Sequence, residues 1–238
     1  MKDAHKQAEV VSRTPEFMAV EGRKPFRLET QPFVYWATVN RMLETIGLAP
    51  GSSVLDVGSG TGWSTLFLAE MGYEAVGIDL VPVNVALGRE RAQRWRSPAR
   101  FELGDMDDLP DGERFDAALV IDALHHTTRQ SEVVMGIGRR VRPGGWVMIG
   151  EPSALHWISP GAYTARRDLG WLERGVTMRS LRRDLDAAGF RDVRRFFQPT
   201  DPYTGRVRGF AWQLLRLVGA NLAFAPHALH WVVAQRGD

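Results

Sequence analysis

The feature that most constrains this chain is a glycine loop that follows an apolar, strand-like segment. The segment Ser53–Val57 carries Asp56 near its end, and glycines follow at alternate positions, at Gly58, Gly60 and Gly62. Glycine leaves room for a ligand to approach the bare backbone, and it adopts dihedral angles that a side chain disfavours. In open α/β sheets, ligands bind at the carboxyl ends of the strands. The segment therefore predicts a ligand site in a fold of alternating strands and helices.

The spacing of the loop argues against two other glycine-rich sites. A dinucleotide fingerprint needs a third glycine where this chain has Trp63, and a phosphate-binding P-loop needs a Gly-Lys pair that is absent. What remains suits a ligand with an amino-acid tail. Asp56 can attract its ammonium group, directly or through water, and the helix N-terminus after the loop favours its carboxylate. The loop residues expected to contact this ligand are Gly58, Ser59, Gly60, Gly62 and Trp63.

Carboxylates recur at the ends of the strand-like segments that follow. Residues 74–80 form a short β-type run that reaches Asp79, and a helical segment between the loop and this run completes a βαβ unit. An acid at this place typically accepts hydrogen bonds from a ribose diol. Asp105 and Asp122 follow two further strand-like runs. Acids at four successive strand ends indicate a shared ligand-binding edge better than they indicate four separate solvated loops.

These motifs resemble those of the class I S-adenosylmethionine-dependent methyltransferases, in particular the broad type 11 methyltransferase domain family. The resemblance covers residues 50–151 and rests on five motifs in order, namely V-L-D-V-G-S-G-T-G, V-G-I-D-L, G-D-M, F-D-A-A-L-V-I-D-A-L-H-H and R-V-R-P-G-G. It implies S-adenosylmethionine as the cofactor, with Asp79 on the ribose and with Asp105 and Met106 near the adenine. Leu80 and Asp122 complete the implied cofactor contacts.

The resemblance and the alternation of segments together predict an α/β fold. We expect a Rossmann-like three-layer sandwich with a seven-stranded, mostly parallel sheet, whose last strand is antiparallel and inserted beside the fifth as in the resembled family. Residues 1–49 should form a loosely held N-terminal arm and a helix, 50–151 the cofactor-binding core, and 152–177 a cap insertion. Residues 178–238 should complete the same domain and include an apolar helix at 209–225, which is too short and too interrupted by polar residues to span a membrane.

Two histidines follow the fourth predicted strand, on the rim toward which the cofactor's methyl group should point. His125 and His126 are candidates for the general base that a hydroxyl acceptor needs, and Glu151, at the end of the fifth strand, is the candidate for orienting an imidazole. Some sugar and natural-product O-methyltransferases of the resembled family use such a pair. The sequence favours His125, although either histidine could instead start the next helix or pack beneath it.

The motifs therefore predict an enzyme that methylates a small-molecule acceptor, on a hydroxyl of a sugar or secondary metabolite. Methyl transfer to nitrogen is one alternative. Another is a cofactor-binding fold used for a non-methylating cyclisation or rearrangement, or for regulatory binding. No metal site is predicted, because the acids and histidines lack a ligand pattern such as H-E-x-x-H. A divalent ion recruited through Asp122 stays open.

Composition adds further expectations. The chain has no cysteine, which excludes disulfides and thiolate chemistry. Its first residues lack the apolar segment of a signal peptide, which favours a cytoplasmic protein. Residues 166–216 hold twelve arginines against six acids, but no regular arginine stripe with interleaved aromatics. We therefore predict no nucleic-acid partner and no stable membrane insertion, and the oligomeric state stays open.

Overall fold

The computed structural model describes residues 4–24, 32–196 and 229–238. Within these residues, seven strands form one sheet, and apolar side chains are buried on both of its faces. The strands are β1 (Ser53–Val57), β2 (Glu74–Asp79), β3 (Arg100–Leu103), β4 (Phe115–Ile121), β5 (Val141–Pro152), β6 (Phe190–Phe196) and β7 (Leu229–Arg236). The α-helices are α1 (Ala4–Val11), α2 (Pro15–Glu21), α3 (Pro32–Ile46), α4 (Trp63–Glu70), α5 (Pro82–Trp95), α6 (Gln130–Arg140), α7 (Pro160–Thr164) and α8 (Met178–Ala187).

The strand order confirms the predicted Rossmann-like α/β fold. The strands lie in the order β3-β2-β1-β4-β5-β7-β6. Strands β1 to β5 pair in parallel, whereas β7 is antiparallel to both β5 and β6. The chain thus inserts its last strand beside the fifth, as expected. Between β1 and β4 the order of the strands reverses, and such a switch point opens a crevice for ligands at the carboxyl ends of the strands.

The apolar runs of the strands are long because both faces of the sheet are covered. Successive side chains of a strand point to opposite faces. In β1, Leu55 and Val57 belong to one apolar cluster, while Val54 belongs to the other. Trp231 of β7 is fully buried in the second cluster, where it meets the ring of Tyr35 from α3. A strand buried on both sides reads as a continuous hydrophobic segment rather than as an alternating one.

Short helices occur in both the N-terminal arm and the predicted cap. Within the arm, α1 and α2 are regular helices whose side chains reach the carboxyl edge of the sheet. The predicted cap contains a 3₁₀ turn at Ala154–Ile158, then α7, then a π-helical turn at Ala165–Leu169. The predicted apolar helix at 209–225 lies outside the described residues. Of the helices built by the described residues, none has the length and apolar character needed to cross a membrane.

Candidate active site

A cavity of about 720 Å³ lies at the carboxyl edge of the sheet, beside the switch point between β1 and β4. Most of the predicted site residues line it: Gly58, Ser59, Gly60, Trp63, Asp79, Leu80, Asp105, Met106, Asp122, His125 and His126. Three others, Asp56, Gly62 and Glu151, do not line the cavity and lie in the layer behind its wall. Side chains of the N-terminal helices and of residues 152–177 complete the lining. We call the side at the glycine loop the cofactor end, and the side at the histidines the acceptor end.

The glycine loop is held between two strands by its own backbone. Gly58 donates its N–H to the carbonyl of Ile78 at 2.9 Å and has φ +72°. A Cβ at this position would lie 2.6 Å from the Cβ of Ala123, so the loop cannot accept a side chain here. Gly60 donates its N–H to the carboxylate of Asp79 at 2.8 Å. The loop therefore owes its shape to β2 and to the turn after β4, and it presents backbone to the cavity.

Asp56 acts behind the loop rather than inside the cavity. Its carboxylate is buried and accepts hydrogen bonds from the hydroxyls of Ser64 and Thr65, both at 2.6 Å. These bonds join β1 to the first turn of α4. Burial raises the pKa of Asp56 to about 6, against the opposing effect of the two hydroxyl donors. The sequence suggested that this acid attracts an ammonium group directly or through water, whereas the structure gives its side chain a loop-supporting position.

Asp79 organises the opposite side of the loop. Besides Gly60, its carboxylate accepts hydrogen bonds from the backbone N–H of Val81 at 2.9 Å and from the side-chain amide of Asn84 at 3.0 Å. The acid thus connects the end of β2 with the glycine loop and with the start of α5. It still lines the cavity, where the resemblance places the ribose.

Three polar atoms at the cofactor end have no hydrogen-bond partner within the described part of the chain. The hydroxyl oxygens of Ser59 and Thr61 and the side-chain oxygen of Asn84 are buried, and all three residues line the cavity. Buried polar atoms are normally paired, and an unpaired one in a native protein needs an explanation. A polar nucleoside with an amino-acid tail would supply hydrogen-bond partners here. The residues present therefore fit the cofactor that the motifs imply.

The N-terminal helix α1 contributes cavity residues that the sequence did not single out. Lys6 forms an ion pair with Asp105 at 2.7 Å and another with Asp107. Glu9 and Arg13 also line the cavity. Lys6 and Glu9 follow an i, i+3 spacing, which places them on one side of α1, and Arg13 follows in the link between α1 and α2. That spacing was the available signal, but nothing in it indicates which part of the molecule the side faces.

Arg13 is held by aromatic rings at the boundary between the arm and the cap. Its guanidinium lies 4.7 Å from the ring centre of Phe17 and 4.4 Å from that of Trp171. Burial lowers the pKa of Arg13, and it raises the pKa of the neighbouring Glu9 to about 7. We call this contact the roof of the cavity, and it joins residues more than 150 positions apart in the sequence.

At the acceptor end, Glu151 holds the turn that carries both histidines. It is fully buried and accepts hydrogen bonds from the backbone N–H groups of Ala123 at 2.7 Å and Leu124 at 2.9 Å. Its other oxygen lies 3.0 Å from Nδ1 of His125. The predicted neighbours His125 and Glu151 are thus in contact, in the arrangement expected for an imidazole and the acid that orients it.

His125 is enclosed by carboxylates. While Nδ1 meets Glu151, its Nε2 lies 3.5 Å from an oxygen of Glu173, and Nδ1 lies 3.9 Å from Asp122. Burial lowers the pKa of His125, but the hydrogen bond to Glu151 and the three negative charges outweigh it and raise the pKa to about 9. The protonated form is therefore favoured at neutral pH in this arrangement.

His126 is placed differently, although its ring centre is only 3.9 Å from that of His125. Its Nδ1 lies 2.8 Å from the carbonyl oxygen of Leu172. A carbonyl can only accept, so Nδ1 carries the hydrogen and Nε2 keeps a lone pair. Burial and the charge of His125 lower the pKa of His126. The sequence favoured His125 as the base, whereas the hydrogen bonds leave the free lone pair on His126.

Glu173 is a further functional candidate that sequence reasoning missed. It comes from the predicted cap, is buried, and accepts a hydrogen bond from Nε2 of His156 at 2.8 Å. One ligand atom each of His125, His126 and Glu173 lie within 4.8 Å of one another. The acid lies 47 positions after His126, and no local motif marks it.

Comparison with known proteins identifies the family. A family model described as a methyltransferase domain matches residues 54–145. An uncharacterized methyltransferase of Synechocystis is 33% identical to this chain over 162 residues, which cover 64% of this chain and 73% of that protein. The chain belongs to the class I S-adenosylmethionine-dependent methyltransferases. S-adenosylmethionine is accordingly the cofactor of this methyltransferase domain.

This methyltransferase domain is also similar to one further relative in sequence and to one solved structure in fold. Erythromycin 3''-O-methyltransferase of Saccharopolyspora erythraea is 32% identical over 169 residues, which cover 65% of this chain but 55% of that protein. The chain thus spans little more than half the length of that relative. A crystal structure of magnesium protoporphyrin IX methyltransferase from Synechocystis with bound SAH superposes with a TM-score of 0.66 at 15% identity. The superposition covers 99% of this chain and 100% of that chain, and at this identity it concerns the fold alone.

Proposed function

We propose that this chain transfers the methyl group of S-adenosylmethionine to a hydroxyl oxygen of a small molecule such as a sugar or secondary metabolite. The observation that carries the proposal is that one continuous cavity has the glycine loop and Asp79 at one end, and His125 and His126 at the other. Its volume of about 720 Å³ falls in the range typical of small-molecule sites, roughly 300–1,000 Å³.

The chemistry divides between the two ends of the cavity. The cofactor supplies an electrophilic methyl group when bound, so the protein's main task is to position the acceptor for in-line attack. A hydroxyl acceptor must also lose its proton. His126 offers a lone pair that can accept this proton or bind a cation that acidifies the hydroxyl. Glu151 and His125 position the turn from which His126 projects, so we place all three residues in the catalytic apparatus.

The choice of oxygen over nitrogen rests on the histidines. A neutral amine already has a lone pair and needs no base before attack, whereas a hydroxyl benefits from one. The name of the erythromycin relative, an O-methyltransferase, points the same way. An N-methyltransferase would be expected to tolerate loss of the imidazole of His126, and a non-methylating use of the fold would leave the cofactor's methyl group in place.

The cofactor end is tested by calorimetry with S-adenosylhomocysteine on the wild-type chain and on Asp79→Asn. The substitution removes the charge that accepts three hydrogen bonds, each worth about 1.5–3 kcal/mol, so we expect affinity to fall at least tenfold. The matched control is Asp111→Asn, because the Asp111 side chain is 83% exposed and lies outside the cavity. Absence of binding to the wild-type chain would remove the cofactor from the proposal.

The transfer step is tested with methyl-labelled S-adenosylmethionine and a panel of small hydroxylated and aminated acceptors. Label on an acceptor oxygen supports the proposal. Label on nitrogen favours the N-methyltransferase, and conversion of an acceptor without label favours cyclisation or rearrangement. Mass spectrometry of the products separates these three results.

A further inference from the structure

We propose that His125, His126 and Glu173 form a binding site for a divalent transition-metal ion of the Zn²⁺ type at the acceptor end of the cavity. The inference rests on the proposed function only for the role of the ion, which is to hold and acidify the acceptor hydroxyl. Its structural basis is independent of that role.

The spacing of the side chains suits an ion better than a hydrogen bond. Nε2 of His125 and the nearest oxygen of Glu173 are 3.5 Å apart. Protein N–H···O hydrogen bonds measure about 2.7–3.2 Å, so this contact is too long for a good one. Two ligands around a tetrahedral ion with bonds of about 2.1 Å are separated by about 3.4 Å. The ligand atoms of all three residues lie within 4.8 Å, so small side-chain rotations would close the set around an ion.

Each ligand also has the supporting partner that metal ligands normally have. A metal-binding histidine almost always donates its other ring N–H to a carboxylate or a backbone carbonyl. His125 meets Glu151 at 3.0 Å, and His126 meets the carbonyl of Leu172 at 2.8 Å. His156 meets Glu173 at 2.8 Å. These contacts orient the three side chains close to the arrangement that an ion needs, and an ion bound through Nε2 of His125 would displace the proton that the neighbouring carboxylates favour.

The donor set and its position indicate both the ion and its use. Two imidazoles and one carboxylate suit Zn²⁺ and neighbouring divalent transition metals rather than Mg²⁺ or Ca²⁺, which prefer oxygen ligands. All three residues line the cavity, so an ion held by them would keep coordination positions open toward the acceptor. A bound cation lowers the pKa of a coordinated hydroxyl, which is the activation that O-methylation requires.

The competing interpretation is a network of charged histidines and carboxylates without an ion. Both interpretations use the same side chains, but only one predicts stoichiometric metal uptake. The full chain, stripped with a chelator, is titrated with Co²⁺ in the presence and absence of S-adenosylhomocysteine. The visible absorption of four-coordinate Co²⁺ reports binding, and Zn²⁺ is added as the competitor.

We expect one equivalent of Co²⁺ to bind and to be displaced by Zn²⁺. Glu173→Ala should weaken Co²⁺ binding at least tenfold, while the control Glu132→Ala, on the exposed side of α6, should leave it unchanged. Glu173→Gln keeps the size of the side chain and its contact with His156. If Glu173→Ala fails to bind S-adenosylhomocysteine, the weakening of Co²⁺ binding is measured on Glu173→Gln instead.

Two results would overturn the inference: no Co²⁺ uptake by the wild-type chain, or equal uptake by the wild-type chain and by a folded Glu173 variant. Binding of S-adenosylhomocysteine without Co²⁺ uptake would reject the metal site and leave the proposed function intact. Co²⁺ uptake without S-adenosylhomocysteine binding would support the metal site and reject the proposed use of the cofactor end.

Discussion

The carboxylates at the two ends of the cavity find their partners over different distances along the chain. At the cofactor end, Asp56 meets Thr65 nine positions away, and Asp79 meets Gly60 nineteen positions away. At the acceptor end, Glu151 meets His125 across 26 positions, and His126 meets Leu172 across 46. The contacts of Asp56 and Asp79 therefore lie within one βαβ unit and the start of the next helix, whereas the contacts of the histidines need the fifth strand and residues 152–177 in place.

The partners also differ in kind. Backbone N–H groups, hydroxyls and an amide donate hydrogen bonds to Asp56 and Asp79 at the cofactor end, and these donors keep their hydrogens at any physiological pH. Imidazoles are the main partners at the acceptor end, and they can change charge or bind a cation near neutral pH. The cofactor end is therefore suited to binding that does not change with pH, and the acceptor end to chemistry on the acceptor.

Replacing His126 should give the largest effect and should separate the two ends most clearly. His126→Ala removes the lone pair offered to the acceptor, so we expect kcat to fall about 10²–10⁴-fold while the affinity for S-adenosylhomocysteine stays within a factor of about two. Steady-state kinetics with an acceptor identified by label transfer, together with calorimetry, measures both quantities. His5→Ala is the matched control, because His5 contacts Gly170 at the surface. A parallel loss of affinity and kcat would mean that the ends are not separable.

The buried acid of the cofactor end predicts a stability change with a definite sign. The pKa of Asp56 is raised to about 6 in the fold, against about 4 in an unfolded chain. Its protonated form is favoured by folding, so the contribution to stability is present below pH 4 and is lost as the pH rises through 6. When the pH is lowered from 7 to 4, the unfolding free energy of the wild-type chain should therefore rise by about 1–3 kcal/mol relative to that of Asp56→Asn. Urea unfolding at several pH values measures this difference.

Asp116 provides a control of opposite sign at the far end of the sheet. Burial raises the pKa of Asp116, but hydrogen bonds from Ser53 and Arg142 outweigh it and lower the pKa. The stability that Asp116 contributes is therefore present above pH 4 and is lost as the pH falls below it.

If the difference in unfolding free energy between the wild-type chain and Asp56→Asn did not vary with pH, the buried position of Asp56 behind the loop would be contradicted.

The smallest expected effect concerns α1, which touches both ends. Lys6 pairs with Asp105 at the cofactor end, and Glu9 lies 3.4 Å from His126 at the acceptor end. Lys6→Ala should loosen this helix over the cavity and speed the release of S-adenosylhomocysteine. A partly exposed ion pair is worth up to about 1 kcal/mol, which corresponds to at most about fivefold in rate. Stopped-flow displacement measures the rate, and Arg94→Ala on α5 serves as the surface control. An unchanged rate would show that α1 does not restrict the cofactor end.

Sequence patterns locate the parts of the site whose contacts are local, and they miss the parts whose contacts span long distances along the chain. The loop at Gly58, the acids after the strands and the turn with His125 and His126 lie in motifs whose neighbours are local, so sequence patterns suffice to locate them. Glu151 could be paired with His125 because parallel strands bring their carboxyl ends together at one edge. The choice between the two histidines could not be made, because it depends on the carbonyl of Leu172.

The sequence by itself predicted the α/β fold, the family and the edge of the sheet at which a cofactor should bind, because glycines and acids at strand ends impose local backbone geometry and form recognisable motifs. Only the tertiary structure decided that Lys6 and Arg13 roof the cavity and that Glu173 joins the histidines. Those contacts are made by side chains from helices and turns far apart in the chain. The i, i+3 spacing of Lys6 and Glu9 predicts that they share one side of α1, but the packing of the whole domain sets what that side meets.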